Sequence, residues 1–478
     1  MKLNRYHSFA ICITFASALC AGSLIAQSAS SLQAQSLVAG LRSPQQGQHH
    51  DTPTNTSLGI TLEQLEQFAT AHNPTLGQAQ DGIRAAQGRV RQAGLWPNPT
   101  IGYTGSEIRG GSFGGGEQGF FVQQQILLGG KLRLSQNIFK QEEKQAEAEA
   151  DEQRLRVENG VRIAFYQSLA AQQMVALRQK LNELAKNALE TTQQLFNVGQ
   201  ADQPDVLQAQ VEADEAQLAL VTANEEQQRA WSILADTVGQ PQMSLAPLNG
   251  NLEEIPDLDI QQTLSTILRD TPALKIAQLG VARAQAELTR SRREPVPDLT
   301  LRAGWQRSGE LFDTVNKPVG GIGFAEVGIN IPLFNRNQGN VAAAHADVDR
   351  SKREVERVEL VLRQQAAPLL QSYTSARSIV DRYRMQTIPS AQKAYELYLA
   401  KYHEGSAAYP QVLVAQRTFF RLQAAYISAL ETVWTNASAL QGLLLTDGLG
   451  QPSPPGTVDQ PVREINLPIV ETPSGSPR

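Results

Sequence analysis

Few residues of this 478-residue chain are spaced to do chemistry. His49-His50-Asp51 is the one tight run of metal-ligating types. Two adjacent histidines and a single carboxylate make poor geometry for a closed site, and they sit in a Ser- and Gln-rich stretch. His7, His72, His345 and His403 are scattered without ligand spacing. Gly110, Gly111, Gly114, Gly115 and Gly116 follow Arg109 but do not open a helix after a strand, as phosphate-cradling loops do, so they read as an outward-facing turn. Glu142, Glu143, Glu147 and Glu149 read as a solvated helix face. Both cysteines, Cys12 and Cys20, fall near the N-terminus, which leaves no thiol elsewhere for a disulfide, a nucleophile or a metal. No Ser-His-Asp set or paired-carboxylate cleft is indicated, so the sequence points away from an enzyme and calls for no cofactor. A net charge of −5 supplies no basic field for nucleic acid.

The informative content lies in the elements. Residues 1–26 read as a secretory signal: Lys2 and Arg5 precede a short apolar run from Phe9 to Leu19, and Leu24-Ile25-Ala26 offers a cleavage site. A lipid anchor on Cys20 is disfavoured by the bulky Leu19 before it. Residues 27–58 read as a flexible arm, and 451–478, with seven prolines, as a disordered tail. No other stretch approaches the roughly 20 apolar residues that a membrane-crossing helix needs.

Between these ends the chain repeats itself. Asn73-Pro74-Thr75-Leu76, Ala86-Gln87 and Trp96-Pro97-Asn98-Pro99 are answered at one constant spacing by Thr271-Pro272-Ala273-Leu274, Ala284-Gln285 and Glu294-Pro295-Val296-Pro297. At a slightly longer spacing, Phe196-Asn197-Val198-Gly199 and Pro204-Asp205-Val206-Leu207 are answered by Tyr402-His403-Glu404-Gly405 and Pro410-Gln411-Val412-Leu413. The chain is thus predicted to hold two copies of a unit of roughly 200 residues, 59–250 and 251–450.

Each copy has the same grammar. A helix (75–95, 273–293) ends at a Pro-x-Pro segment through which no helix continues. Two strands follow, predicted at 98–107 and 118–127 in the first copy and at 298–307 and 322–332 in the second. Leu299, Leu301, Ala303 and Trp305 alternate with Thr300, Arg302, Gly304 and Gln306, giving one apolar and one polar face. Ala325, Val327, Ile329 and Ile331 do the same. Ile101 and Tyr103 alternate with Thr100, Gly102 and Thr104; Phe120, Val122 and Ile126 do so less cleanly with Phe121, Gln123 and Gln125. Long helical hairpins close each copy, predicted at 131–237 and 339–447. Their Ala-, Gln-, Glu- and Leu-rich arms run roughly 65 residues, or about 100 Å, with only Pro368 and Pro389 as breakers. Gly199 and Gly405 stop the outgoing helices, and Pro204 and Pro410 start the returning ones. Four strands are too few for a membrane barrel, whose smallest wall has about eight. If the strands meet lipid, copies of the chain must join to close the wall and the helices beneath it. A soluble coiled-coil scaffold is the competing reading, and the alternating strands speak against it.

The double repeat, Ala93-Gly94-Leu95-Trp96-Pro97-Asn98-Pro99, Leu128-Gly129-Gly130-Lys131, Ile331-Pro332-Leu333-Phe334 and the paired hairpin motifs resemble the TolC-type outer-membrane efflux family over about residues 60–447. Within it the chain looks most similar to the CzcC- and CusC-like subunits of heavy-metal cation exporters, with drug or protein export as the alternatives. The resemblance implies a mainly α fold with a membrane β-barrel, in which a homotrimer places four strands per chain in a 12-strand barrel continued by a helical periplasmic tunnel. It implies location in outer-membrane lipid, and as partners a periplasmic adaptor and an inner-membrane pump of the resistance-nodulation-division type that supplies the energy. By the same resemblance Gly199 and Gly405 cap the tunnel tips where the adaptor docks. Phe196, Val198, Ala201, Val206 and Leu207 line one tip, and Tyr402, Ala407, Val412 and Leu413 the other. The aspartates that narrow the entrance in drug-exporting relatives are replaced here by Gln411 and Val414. Asp202 and Asp205 lie on the first hairpin instead, where three subunits would repeat them as an acidic ring.

Overall fold

The computed structural model describes residues 59–108, 116–311, 318–404, 406 and 408–452. The expected signal and arm, the His49-His50-Asp51 run, most of the glycine turn after Arg109 and the expected tail beyond residue 452 lie outside these residues.

Each half opens with a short helix that the repeat pattern had not separated from the next. Helix α1 (Leu62–His72) starts at Thr61, which exchanges side-chain and backbone hydrogen bonds with Gln64 in a capping box. Helix α2 (Pro74–Ala93) follows after one residue: Pro74 suits the first turn, and the Asn73 carboxamide oxygen accepts from the Thr75 N–H at 3.0 Å. Strands β1 (Thr100–Ser106) and β2 (Glu117–Ile126) form the first hairpin. Helix α3 (Lys131–Asn197) runs unbroken for 67 residues and returns as α4 (Gln203–Val238). The second half repeats the order with α5 (Ile260–Asp270), α6 (Pro272–Arg293), β3 (Leu299–Leu311) and β4 (Pro318–Ile329).

The second outgoing rod is not one helix. It comprises α7 (Gln338–Arg382), a π-helical turn at Tyr383–Thr387 and α8 (Ile388–His403), before α9 (Tyr409–Gln441) returns. Pro389 lacks the N–H that a continuing α-helix needs, and the wider turn immediately before it absorbs the mismatch without breaking the rod.

All four strands form one antiparallel sheet in the order β1-β2-β3-β4, so the central β2–β3 pairing joins the two halves and leaves β1 and β4 as edges. Beyond the sheet, α3 is the hub, packed on α2, α4, α6 and α9. Between α3 and α4, Ala185, Ala213 and Ala216 sit with Leu181 and Leu189, and the small side chains let the backbones approach. The main core gathers Phe165, Leu169, Leu234, Leu252, Ile267, Leu430 and Leu440 from both halves. At its margin half-buried Tyr166 stacks on Trp434, ring centroids 3.8 Å apart, and the Trp434 indole N–H donates to the Leu252 carbonyl at 2.8 Å.

Candidate channel wall and hairpin tips

The register sorts the sheet into two faces. Across one run Tyr103, Phe120 and Trp305, directly paired from strand to strand, with Ile101, Val122, Leu301, Val327 and Ile329. All eight are exposed, in a chain whose helices bury an apolar core. Tyr103 and Phe120 meet edge to face at 5.8 Å, forming with Trp305 an aromatic row of the kind that girdles a barrel at the lipid–water interface. The opposite face carries Thr100, Thr104, Gln123, Gln125, Thr300, Arg302, Gln306 and Glu326. Water contents one face of this sheet and lipid the other.

Where sheet meets helix, a run of exposed apolar residues continues outside the strands: Leu95 and Trp96 before β1, Ile331, Leu333 and Phe334 after β4, the last 91% exposed. Gly129 and Gly130 both adopt positive φ (69° and 71°), turning β2 sharply into α3. This turn delivers Lys131 to a buried position, its Nζ 3.0 Å from Asp298 Oδ1 and 4.0 Å from Glu294. Asp298 also accepts the Leu128 N–H at 3.1 Å. The Gly-Gly-Lys run is therefore a joint between halves.

The acidic stretch on α3 is not uniformly solvated. Glu142 and Glu149, seven residues apart, share the face of α3 packed on its neighbours, while Glu147 is exposed. Arg89 of α2 reaches Glu142 at 2.7 Å. Burial, reinforced by the charges of Glu152 and Glu142 against that of Arg283, pushes the Glu149 carboxyl up to about 8. Charge composition alone marked these residues as surface; the four-residue spacing to buried Gln145 on one side and Gln153 on the other was the signal that places Glu149 inside. Among the described residues no group of three or more His, Cys, Asp or Glu is placed to hold a metal ion, and no helix is long and apolar enough to cross a membrane.

At the far end, α3 stops at Gly199, whose φ is 75° and whose N–H donates to the Phe196 carbonyl at 3.0 Å; Gln200 N–H closes the turn on Leu195 at 2.8 Å. Phe196, Val198 and Leu207 are exposed, and Ala201 and Val206 half-buried. Asp202 precedes α4, and the Asp205 carboxylate accepts its backbone N–H at 3.3 Å, so both acids help to start that helix. On the second hairpin Gln411 and Val414 are exposed, whereas Val412 and Leu413 are buried and hold α9 in place. Tyr402 lies 5.5 Å from Tyr409, ring to ring. Gly405 and Ala407 lie outside the described residues. Two further features were not foreseen. Arg417 of α9 pairs with Glu212 of α4, tying the two hairpins together just above their tips. Also, Leu207, Val211, Leu218 and Val221 leave a second apolar stripe on α4, exposed and separate from the alanines that face α3.

The pattern of the outer membrane efflux protein family matches residues 65–240 and 263–444, one span in each half. The cobalt-zinc-cadmium resistance protein CzcC of Cupriavidus metallidurans is 25% identical over 392 residues, covering 82% of this chain and 91% of that protein. The pyoverdine export outer membrane protein OpmQ of Pseudomonas aeruginosa is 24% identical over 395 residues, 77% of this chain and 81% of that one. A crystal structure of CusC, described in connection with folding and transmembrane channel formation, superposes with a TM-score of 0.67 at 18% identity, covering 81% of this chain and 92% of that one. The chain belongs to the outer membrane efflux protein family, with its strands in the outer membrane and its helices in the periplasm.

Proposed function

We propose that, as a member of this family, the chain forms a passive trimeric conduit that carries heavy-metal cations from the periplasm to the exterior. The observation that carries the reading is the open sheet: one face is apolar and exposed, and both edges, β1 and β4, have no strand partner among the described residues. Unpaired backbone within lipid is prohibitive, and four strands cannot close on themselves. Three copies joined β4 to β1 make a wall of twelve strands, and the second apolar stripe of α4 then has a neighbouring helix to meet. The exposed Phe196, Val198, Leu207 and Val414, with Gly199 fixing the turn, supply the apolar tip on which a periplasmic adaptor docks. An inner-membrane pump of the resistance-nodulation-division type drives transport through that adaptor.

The metal assignment is supported by the likeness to CzcC across most of both chains. Likeness to OpmQ supports a second reading, export of an organic metal chelator or drug. A deletion strain, with and without the gene restored, separates them on plates of cobalt, zinc, cadmium and copper and on a drug panel. Metal sensitivity that the gene alone reverses is the expected result. Loss of drug tolerance with unchanged metal tolerance replaces the first reading by the second.

A further inference from the structure

Two phenylalanines interrupt the polar face of the sheet, and both are set among glycines. Gly102, Phe121, Gly304 and Phe324 are successive partners across all four strands. A Cβ on Gly102 would lie 2.4 Å from Phe121 Cζ, and one on Gly304 would lie 2.7 Å from Phe324 Cζ. Each ring therefore lies down over its glycine neighbour instead of standing out from the wall, and a side chain at either glycine would push it off.

Two residues closer to the helices the same strands carry the row Thr100, Gln123, Arg302 and Glu326. Arg302 leans back onto the rings: its guanidinium carbon is 4.1 Å from the Phe121 centroid and 5.7 Å from that of Phe324. Its Nη1 is 3.6 Å from Glu326 Oε2. The two partners are unequally covered, the Arg302 side chain being 30% exposed and Glu326 64%. The cation is thus held flat against the wall while the anion is presented outward from it.

We propose that this row is a cation-selecting ring inside the barrel, with Glu326 as the charge offered to small inorganic cations and Arg302, braced on Phe121, as the countercharge that offsets it. The inference rests on the trimeric channel reading above. Three copies repeat the carboxylate around one level of the lumen, and rings of acidic side chains favour cation passage. The recumbent phenyl band, one row further along the strands, keeps the lumen open beside that level and holds the Arg302 guanidinium against the wall.

The test is the reversal potential of the full-length protein in planar bilayers under a KCl gradient. Glu326→Gln is expected to lower the potassium-to-chloride permeability ratio about fivefold, the Boltzmann factor for one unit charge near contact in water. Arg302→Gln is expected to raise it, a readout that loss of folding cannot imitate, and it decides alone if Glu326→Gln fails to assemble. A ratio unmoved by Arg302→Gln, or by Glu326→Gln in channels of wild-type conductance, overturns the ring. Failure of the wild-type protein to form any channel strikes the trimeric reading instead.

Discussion

Lys131 and Asp298, 167 residues apart in sequence, meet at 3.0 Å at the joint between sheet and helices. The lysine begins α3 after the Gly129-Gly130 turn that follows β2, and the aspartate lies directly before β3. One ion pair therefore fixes the angle at which the long hairpin of the first half leaves the strands of the second. Lys131 is almost fully buried, so removing Asp298 leaves its charge with little water and only the longer contact to Glu294. Asp298→Ala is expected to destabilise the assembled protein by about 3 kcal/mol, read as a lower melting temperature in detergent. The double change Lys131→Met, Asp298→Leu should recover most of that loss; a double variant no better than the single one would show that packing, not charge, governs the joint.

Gly199 has open space where a side chain would go, but its φ of 75° is one that β-branched residues resist. Gly199→Val is expected to distort the first tip and abolish efflux while trimers remain in the outer membrane. Gly199→Asn, which tolerates this conformation, should retain most transport. Full transport and unchanged adaptor crosslinking in the valine variant would remove this tip from the docking surface.

Asp205 both caps α4 and places a carboxylate at the tip. Asp205→Asn keeps an oxygen to accept the Asp202 N–H, so the cap loses little, while the charge is gone. Lower cation conductance in planar bilayers, with melting within about 0.5 kcal/mol of wild type, is the expected pattern. Identical current–voltage curves in several salts would leave Asp205 a cap and nothing more.

Glu149 is protonated in the folded protein below about pH 8 but ionises near 4.5 when unfolded. The folded state thus holds the extra proton, and stability falls as pH rises from about 4.5 to 8, by no more than about 1.4 kcal/mol per pH unit. Glu149→Gln removes the ionisable group, so its melting temperature should decline less steeply across that window. Parallel profiles for the two proteins would assign the pH dependence to other groups.

Much of this architecture was legible because period matters more than identity. Leu299 to Trp305 alternate strictly, and the register places their apolar members on one exposed face. The tandem motifs marked both hairpin turns. Long-range pairing was not legible: nothing near Lys131 names Asp298, because the contact exists only once β2 has paired with β3. Composition also misled at Glu142 and Glu149, since a helix with packed neighbours on several sides has less surface than its charges suggest. Phe121 was assigned correctly to the polar face, but its reason for being there, a glycine on the adjacent strand, lies in the register.

The free edges of β1 and β4 bear on inheritance as well as on architecture. In a closed ring each edge completes another subunit, so one damaged strand opens the whole wall. In the trimer proposed above, when sound and edge-damaged chains are synthesised together, the yield of intact rings falls as the cube of the sound fraction. A single faulty gene copy therefore acts dominantly, poisoning the product of the good one.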